Sequence, residues 1–430
     1  MDLFNVIDYR GKTPRKISSG IRLITAKNVR PGFVNKEPEE FISKEEFATR
    51  QSRGLAKRGD ILFTTEAPMG YAAIIDEDVF STGQRLITFQ QYGNGETLDN
   101  HYFMFVILSP FFQQQLVNHN TGVTVSGIKG ERLKRFVIPV PPLAEQKRIV
   151  AKVEKLMPLV DEYGRMEEAR LQLDADLPST LEKSILQEAI QGKLVPQDPN
   201  DEPARELLKR ITFERKALIK TGKLKRNKGE SVIFRGADRL AYETRNGETV
   251  CIQDEIPFEI PDSWEWVRLG DMSNYGQCTS VDTADIDPGT WSLDLEEIEK
   301  GTGLLIERKT AAEKKSKSSK HVFTKGTLLY SKLRTYLNKV LVADKDGVCT
   351  SEIVPIELNG GVNAEYVRLV LMSPYFLEYT ASKGYGIKMP RVGTDDMKQS
   401  LIPLPPLDEQ KRIVKRVEDL KATTRTLVTV

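Results

Sequence analysis

Two groups of loop residues carry the side chains best suited to chemistry in this chain, and that chemistry is recognition. In the first half they are Arg10 and Lys12 in Tyr9-Arg-Gly-Lys-Thr-Pro14, Lys27 and Asn28, Gln84 and Arg85, and Thr124, Ser126 and Lys129 in Thr124-Val-Ser-Gly-Ile-Lys129. In the second half they are Lys332, Arg334 and Tyr336 in Ser331-Lys-Leu-Arg-Thr-Tyr336, then Lys388 and Arg391 in Lys388-Met-Pro-Arg391. Guanidinium and ammonium groups read guanine edges, carboxamides read adenine edges, and hydroxyls or backbone amides hold phosphates. Singly each signal is weak, because an exposed lysine is usually only a solvated one. The weight lies in the constellation and in its occurring twice.

Catalytic patterns are missing from the sequence. Gly122-Val-Thr-Val-Ser-Gly127 has the glycine spacing of a phosphate-binding loop, but Ile128 stands where the lysine that grips the phosphates must be. There is no Asn-Pro-Pro-aromatic motif for methylating a base amino group, no GxSxG and no HExxH. Glu66 and Glu352 sit near strand ends, and a lone carboxylate there is more often a hydrogen-bonding side chain than a general base. Cys251, Cys278 and Cys349 are scattered and lack ligand spacing with His101, His119 or His321, so they read as reduced intracellular thiols and not as a metal site. No apolar run reaches the length of a membrane span, and the chain reads as cytoplasmic with no membrane partner.

The elements that must position the loops are announced by a repeat. Pro139-Val-Pro-Pro-Leu-Ala-Glu-Gln-Lys-Arg-Ile-Val150 returns as Pro403-Leu-Pro-Pro-Leu-Asp-Glu-Gln-Lys-Arg-Ile-Val414, with ten of twelve positions identical. The prolines hold the backbone extended, and a helix opens behind them with an acid in its first turn. Ile149, Val153, Leu156 and Val160 then follow at heptad spacing, as do Ile413, Val417 and Leu420, a stripe that seeks a partner helix. Around the hinges the scaffold repeats as well. Arg58-Gly-Asp-Ile-Leu-Phe-Thr is answered by Lys325-Gly-Thr-Leu-Leu-Tyr-Ser, and Tyr102 to Pro110 by Tyr366 to Pro374. The loops between do not agree, which suggests that they recognise different things.

At 430 residues, 29% charged and a net charge of +2, the chain is long enough for several cores. Strands are expected at 21–26, 59–65, 72–75 and 85–89, with a last short one at Phe136-Val-Ile-Pro139. The expected fold is α+β, with a pseudo-twofold internal repeat. Its divisions are a first mixed α/β domain at 1–142, a helical spacer at 143–195 and a basic helical linker at 196–261. A second mixed domain at 262–406 and a terminal helix at 407–430 complete it. Pro158 and Pro178 should bend or interrupt the spacer helix, and Gly192 with Pro196 should end it. Arg215 to Lys228 is strongly basic; a solvated face is the plain reading and a backbone contact to nucleic acid the sharper one.

The twin hinges, Gln191-Gly-Lys-Leu-Val-Pro-Gln-Asp-Pro-Asn-Asp-Glu-Pro203 and Trp264-Glu-Trp-Val-Arg-Leu-Gly-Asp271 together resemble the specificity (S) subunits of type I restriction-modification systems. That resemblance covers nearly the whole chain. It implies two target recognition domains held apart by an antiparallel, coiled-coil-like pair of the family's conserved helices. Each domain would read one half of a split, asymmetric site in double-stranded DNA. The helices would set the spacing and dock two methyltransferase (M) subunits carrying S-adenosylmethionine. Restriction (R) subunits, with ATP and Mg, would join for cleavage. The chain would bind no cofactor and would be no enzyme itself. A helix of about 45 residues spans roughly 65–70 Å, enough to fix where two half-sites lie. Two departures stand out: Asp2 already aligns with Asp271, and the last helix is short, so both ends read as clipped against the family pattern. The alternative is a coiled-coil adaptor without sequence-specific DNA binding.

Overall fold

The computed structural model describes residues 3–8, 13–50, 54–92, 97–119, 127–226, 231–314 and 318–428, the last four of these as backbone only. The chain forms two compact units, Met1–Ala169 and Arg170–Val430, and the division falls inside one helix. The first unit runs β1 (Phe4–Asp8), β2 (Ile21–Ile24), β3 (Val29–Arg30), β4 (Phe33–Val34), β5 (Phe41–Ile42), α1 (Lys44–Arg50), β6 (Ile61–Thr64), β7 (Ala72–Ile74), β8 (Phe80–Thr82), β9 (Leu86–Gln91), α2 (Asn100–Leu108), α3 (Pro110–Asn118) and α4 (Gly130–Leu133), then the long α5 (Leu143–Ile190). The second runs α6 (Ala204–Lys220), β10 (Ser231–Arg235), β11 (Ala241–Arg245), β12 (Glu248–Cys251), β13 (Glu265–Arg268), α7 (Leu269–Met272), β14 (Ser280–Val281), β15 (Trp291–Leu293), β16 (Lys309–Thr310), α8 (Ala311–Lys314), β17 (Lys320–Phe323), β18 (Leu328–Ser331), β19 (Val340–Val342), β20 (Gly347–Cys349), β21 (Ile353–Ile356), α9 (Ala364–Met372), α10 (Pro374–Lys383), α11 (Thr394–Gln399), β22 (Leu401–Leu404) and α12 (Leu407–Val428).

The apolar runs become central strands because both of their faces are covered. Ile61, Leu62, Phe63 and Thr64 of β6 are all buried, as are Leu328, Leu329, Tyr330 and Ser331 of β18. Each is flanked in the same order, β9-β6-β7 in the first unit and β21-β18-β19 in the second. A parallel pair also recurs, β2 with β8 and β15 with β20. The paired helices are set by one residue in each unit. Ser109 ends α2 and begins α3, donating to the Val106 carbonyl at 2.6 Å, with Pro110 in the first turn that follows. Ser373 does the same, donating to Val370 at 2.7 Å ahead of Pro374. The stacked and edge-on rings of Phe4, Phe63, Phe89, Phe103 and Phe112 fill the first core.

The repeated hinge owes part of its sequence to a clamp. Gln146 is fully buried; its carbonyl oxygen accepts from the Asp99 amide at 2.7 Å, and its nitrogen donates to Pro141 at 2.8 Å. Gln410 repeats both bonds, with Asn363 at 2.9 Å and Pro405 at 2.9 Å. Tyr102 and Tyr366 add a second tie, donating to the carbonyls of Pro139 and Pro403 at 3.1 and 2.8 Å. Both satisfy backbone groups that proline-rich segments cannot pair among themselves.

Several expectations are corrected. Helix α5 is continuous over 48 residues, through both Pro158 and Pro178. A proline removes one donor, and an exposed helix can leave the freed carbonyl to water. Its end is as expected: Gly192, at φ +71°, closes a turn in which Lys193 donates to Glu188 and Gly192 to Ala189. The stretch 196–261 is not a helical linker throughout, since α6 is followed by the three-stranded sheet β10-β11-β12. Arg215 does not lie on a solvated face; it is buried and donates to the Ser273 carbonyl at 3.0 Å. Residues 136–139 form no strand, whereas Leu401–Leu404, the equivalent of 137–140, pairs with β13. A strand needs a partner, and β22 has one in β13. Along the heptad stripe Ile149, Leu156 and Val160 are exposed and Val153 is partly so; the first core takes Val150 instead. In α12, Ile413 and Val417 are buried in the core of their own unit and Leu420 is half-buried.

Candidate nucleic-acid interface

Described residues of the loops singled out from the sequence are linked at one end of each central sheet, and the backbone frame is the same in both units. In the first, the Thr65 amide donates to the Arg85 carbonyl at 3.1 Å and the Ile128 amide to the Thr65 carbonyl at 3.0 Å. Glu66 and Gly127 face each other in an isolated antiparallel bridge. In the second, the Lys332 amide donates to Glu352 at 3.1 Å and the Val392 amide to Lys332 at 3.2 Å, with Leu333 bridging Arg391. The three backbone links match one for one.

The side chains on this frame differ. In the first unit the Arg85 guanidinium lies 3.2 Å from Glu66, both partly exposed. In the second the position of Arg85 is taken by Glu352, and the cation is Arg391, where the first unit has Gly127. Arg391 grips Glu352 through Nε at 3.2 Å and Nη2 at 2.9 Å. These hydrogen bonds outweigh the opposing effect of partial burial and hold the Glu352 carboxyl below the usual carboxylate range. A fork held in this way presents its remaining N–H groups in a fixed direction.

Lys27 is exposed on the loop after β2, beside the turn at 83–85, where the Gly83 amide donates to the Ile24 carbonyl at 2.7 Å. Gln84 is half-buried, while Arg85 and Lys129 are exposed. Asn28 is fully buried. Its oxygen accepts from the Thr25 amide and hydroxyl at 3.0 and 3.1 Å, and its nitrogen donates to the Asn35 and Pro38 carbonyls at 3.1 and 3.0 Å. Asn28 therefore shapes the Lys27 loop and offers nothing to a base edge, a correction to its expected role. Arg10, Lys12, Thr124 and Ser126 lie outside the described residues.

In the second unit Lys332 and Arg334 are half-buried, and Tyr336 and Lys388 are exposed. Arg334 sits at φ +51° and its amide donates to the Pro390 carbonyl at 2.7 Å, which ties the 332–338 loop to the 384–391 loop. Sequence reasoning missed the apolar residues of that second loop. Tyr385, Ile387 and Met389 are exposed and alternate with Gly386 and Lys388, a pattern readable in Gly-Tyr-Gly-Ile-Lys-Met-Pro. Among the described residues no cluster of His, Cys, Asp and Glu could hold a metal ion, and no helix is long and apolar enough to cross a membrane.

The family of type I restriction modification DNA specificity domains matches residues 2–161 and 261–429. The specificity subunit of the type I restriction enzyme EcoAI of Escherichia coli is 26% identical over 393 residues, covering 77% of this chain and 61% of the relative. That of EcoEI, also from Escherichia coli, is 31% identical over 242 residues, covering 54% of this chain and 37% of the relative. The chain thus spans 61% of the length of the EcoAI subunit. Among solved structures, the HsdS subunit from Thermoanaerobacter tengcongensis aligns over 97% of this chain and 88% of its own, at 18% identity and a TM-score of 0.47.

Proposed function

The chain belongs to the type I restriction modification DNA specificity family, and from that premise we propose that it is the non-catalytic reader of a bipartite, asymmetric site in double-stranded DNA. Residues 1–142 and 262–406 each read one half-site. Helix α5 and α12 set the spacing, pair in antiparallel fashion and dock two methyltransferase subunits. The exposed stripe of Ile149, Leu156 and Val160 supports that docking role, since large apolar side chains on a helix mark an interaction surface. Methylation and cleavage belong to the M and R subunits, with S-adenosylmethionine, ATP and Mg bound there. The chain works in the cytoplasm.

One observation carries the reading: two loop frames with the same backbone links bear unlike side chains, Arg85 with Glu66 on one and Glu352 with Arg391 on the other. A shared frame serves the same docking mode, and unlike side chains meet unlike base edges. Lys27, Gln84, Arg85 and Lys129 are the proposed contacts on the first frame, and Arg10, Lys12, Thr124 and Ser126 are proposed to join them in contacting DNA. Lys332, Arg334, Tyr336, Lys388 and Arg391 are those on the second.

Selection of bound duplexes from a random pool, with the M subunit present, is expected to enrich a split site with a fixed gap. Exchanging residues 1–138 for those of another specificity subunit should change one half-site only. Equal affinity for all duplexes overturns the reading and leaves the adaptor. Within the second unit, Lys388→Ala is expected to weaken binding to all duplexes alike and to lower the slope of log K against log salt by about one, because one phosphate contact is lost. Arg391→Ala is expected to relax discrimination at one position, by about 1–3 kcal/mol, in a competition between single-base variants of the site.

A further inference from the structure

We propose that the hairpin at 385–391 is a DNA wedge: its tip enters the groove read by Arg391 and inserts Ile387 between adjacent base pairs, partly unstacking them and kinking the duplex. The inference rests on the DNA-reading function proposed above and adds a deformation to it. Ile387 is fully exposed, Tyr385 is 61% exposed and Met389 50%. A single apolar side chain in water is ordinary; three at alternate positions of one hairpin form a contact surface. At the tip Ile387 contributes nothing to the core of its own unit, and burying it against another molecule is favourable.

The hairpin is braced from within and from below. Tyr385 and Arg391 exchange both backbone hydrogen bonds, each at 2.9 Å, which closes the loop 386–390. Gly386 makes the turn at φ +93°, a conformation that favours glycine, and a Cβ there would meet the Met389 carbonyl oxygen at 3.3 Å. The base of the hairpin is tied to the reading frame on two sides. The Arg334 amide donates to the Pro390 carbonyl at 2.7 Å, and the Val392 amide to the Lys332 carbonyl at 3.2 Å. Arg391 itself is forked onto Glu352. A wedge gains from such bracing, because ordering a loose loop on binding would offset the gain from burying its tip.

The charges around the tip commit it to a polyanion. Residues 383–391 carry Lys383, Lys388 and Arg391 and no acid. Lys332 and Arg334 stand on the loop to which the hairpin is tied. Glu352, the carboxylate that faces the hairpin, is already paired with Arg391 at 2.9 Å. Cations around an apolar tip suit the phosphate walls of a groove, and isoleucine, methionine and proline are among the side chains that proteins push between base steps. A protein partner is the poorer match, since lysine is depleted where proteins bury apolar surface against each other. Lys388, between Ile387 and Met389, then reaches a phosphate beside the opened step.

The test uses the full chain, the M subunit and the duplex that selection enriches, with a donor dye at one end and an acceptor at the other. At saturating protein the wild type is expected to raise energy transfer between the ends, the mark of a bend. Ile387→Ala is expected to lose most of that rise and to bind about tenfold more weakly, the lost burial being partly offset by a stack left closed. The slope of log K against log salt should not change, because no phosphate contact is removed. Ile387→Leu should restore both bend and affinity, leucine being a wedge as well. Ile387 packs on nothing in its own unit, so both variants fold as the wild type does. Equal bending by the wild type and Ile387→Ala, or selective binding to a straight duplex, overturns the wedge alone. Weaker M-subunit binding by Ile387→Ala without DNA assigns the tip to a protein contact and overturns it as well. Equal affinity of the wild type for all duplexes overturns the DNA reading itself, and the wedge falls with it.

Discussion

Trp264→Ala is expected to remove about 5 kcal/mol from the stability of the second unit, at the upper end of tryptophan truncations. Trp264 is 3% exposed and stands edge-on to Tyr366, ring centroids 6.3 Å apart. It fills a core shared by the end of α5, the hinge and α9, with Ile190, Ile402 and Ile413 among its members. The cavity is only part of the loss. The indole N–H is a hydrogen-bond partner of Glu409, whose carboxyl burial already pushes up. Removing that donor leaves one oxygen of a buried acid without its partner, while Gln197 holds the other. Trp264→Phe keeps the ring and loses only the donor, so about 1–3 kcal/mol is expected from it. All three tryptophans, Trp264, Trp266 and Trp291, lie in the second unit, so denaturant titration followed by tryptophan fluorescence reports that unit alone. Equal losses for both variants would show that the hydrogen bond, not packing, dominates.

Arg268→Met is expected to lower the stability of the same unit by about 3–5 kcal/mol at neutral pH, because it breaks a buried ion pair on one side only. Arg268 is 5% exposed and reaches Glu243 through Nε at 3.2 Å and Nη2 at 3.0 Å, then Glu255 at 2.8 Å and the Gln399 carbonyl at 2.7 Å. Burial pushes the Glu243 carboxyl up, but the hydrogen bonds from Arg268 and Arg245 prevail and hold it at about 2. A carboxyl with a lowered folded pKa stabilises above its unfolded value of 4.5 and loses that contribution as pH falls towards 2. The shift corresponds to about 3 kcal/mol. In Arg268→Met the acid is buried without its main partner and its pKa rises, so folding then takes up a proton and the variant gains stability as pH falls. The gap between the two proteins should therefore narrow from pH 7 to pH 3. Pairing Arg268→Met with Glu243→Leu should restore most of the loss, since an apolar pair satisfies the site. A gap that stays constant with pH would remove Glu243 from the account.

The sequence by itself determined the architecture that depends on local or repeated signals. The hinge repeat marked two units, and the apolar runs at 61–64 and 328–331 became central strands because such runs suit strands covered on both sides. Ser109-Pro110 and Gly192 acted as a helix break and a helix end through their own backbone preferences. The loops were legible as recognition elements because polar side chains beside glycines survive there for reasons other than packing.

What only the tertiary structure decided is which of those side chains face outwards and which are already occupied. Asn28 looked like an adenine reader and is a buried loop clamp, because four partners drawn from residues 25 to 38 consume its amide. Arg215 looked like part of a basic face and is held by Ser273, far along the chain. The sheet β10-β11-β12 escaped notice since one of its inward positions is Glu243, a charge whose burial makes sense only beside Arg268. The same motif also has different fates: Ile149 and Glu145 are exposed, while Ile413 and Glu409 are buried. Identical local sequence cannot report whether a strand such as β13 lies across it, because burial is a property of what arrives from elsewhere in the fold.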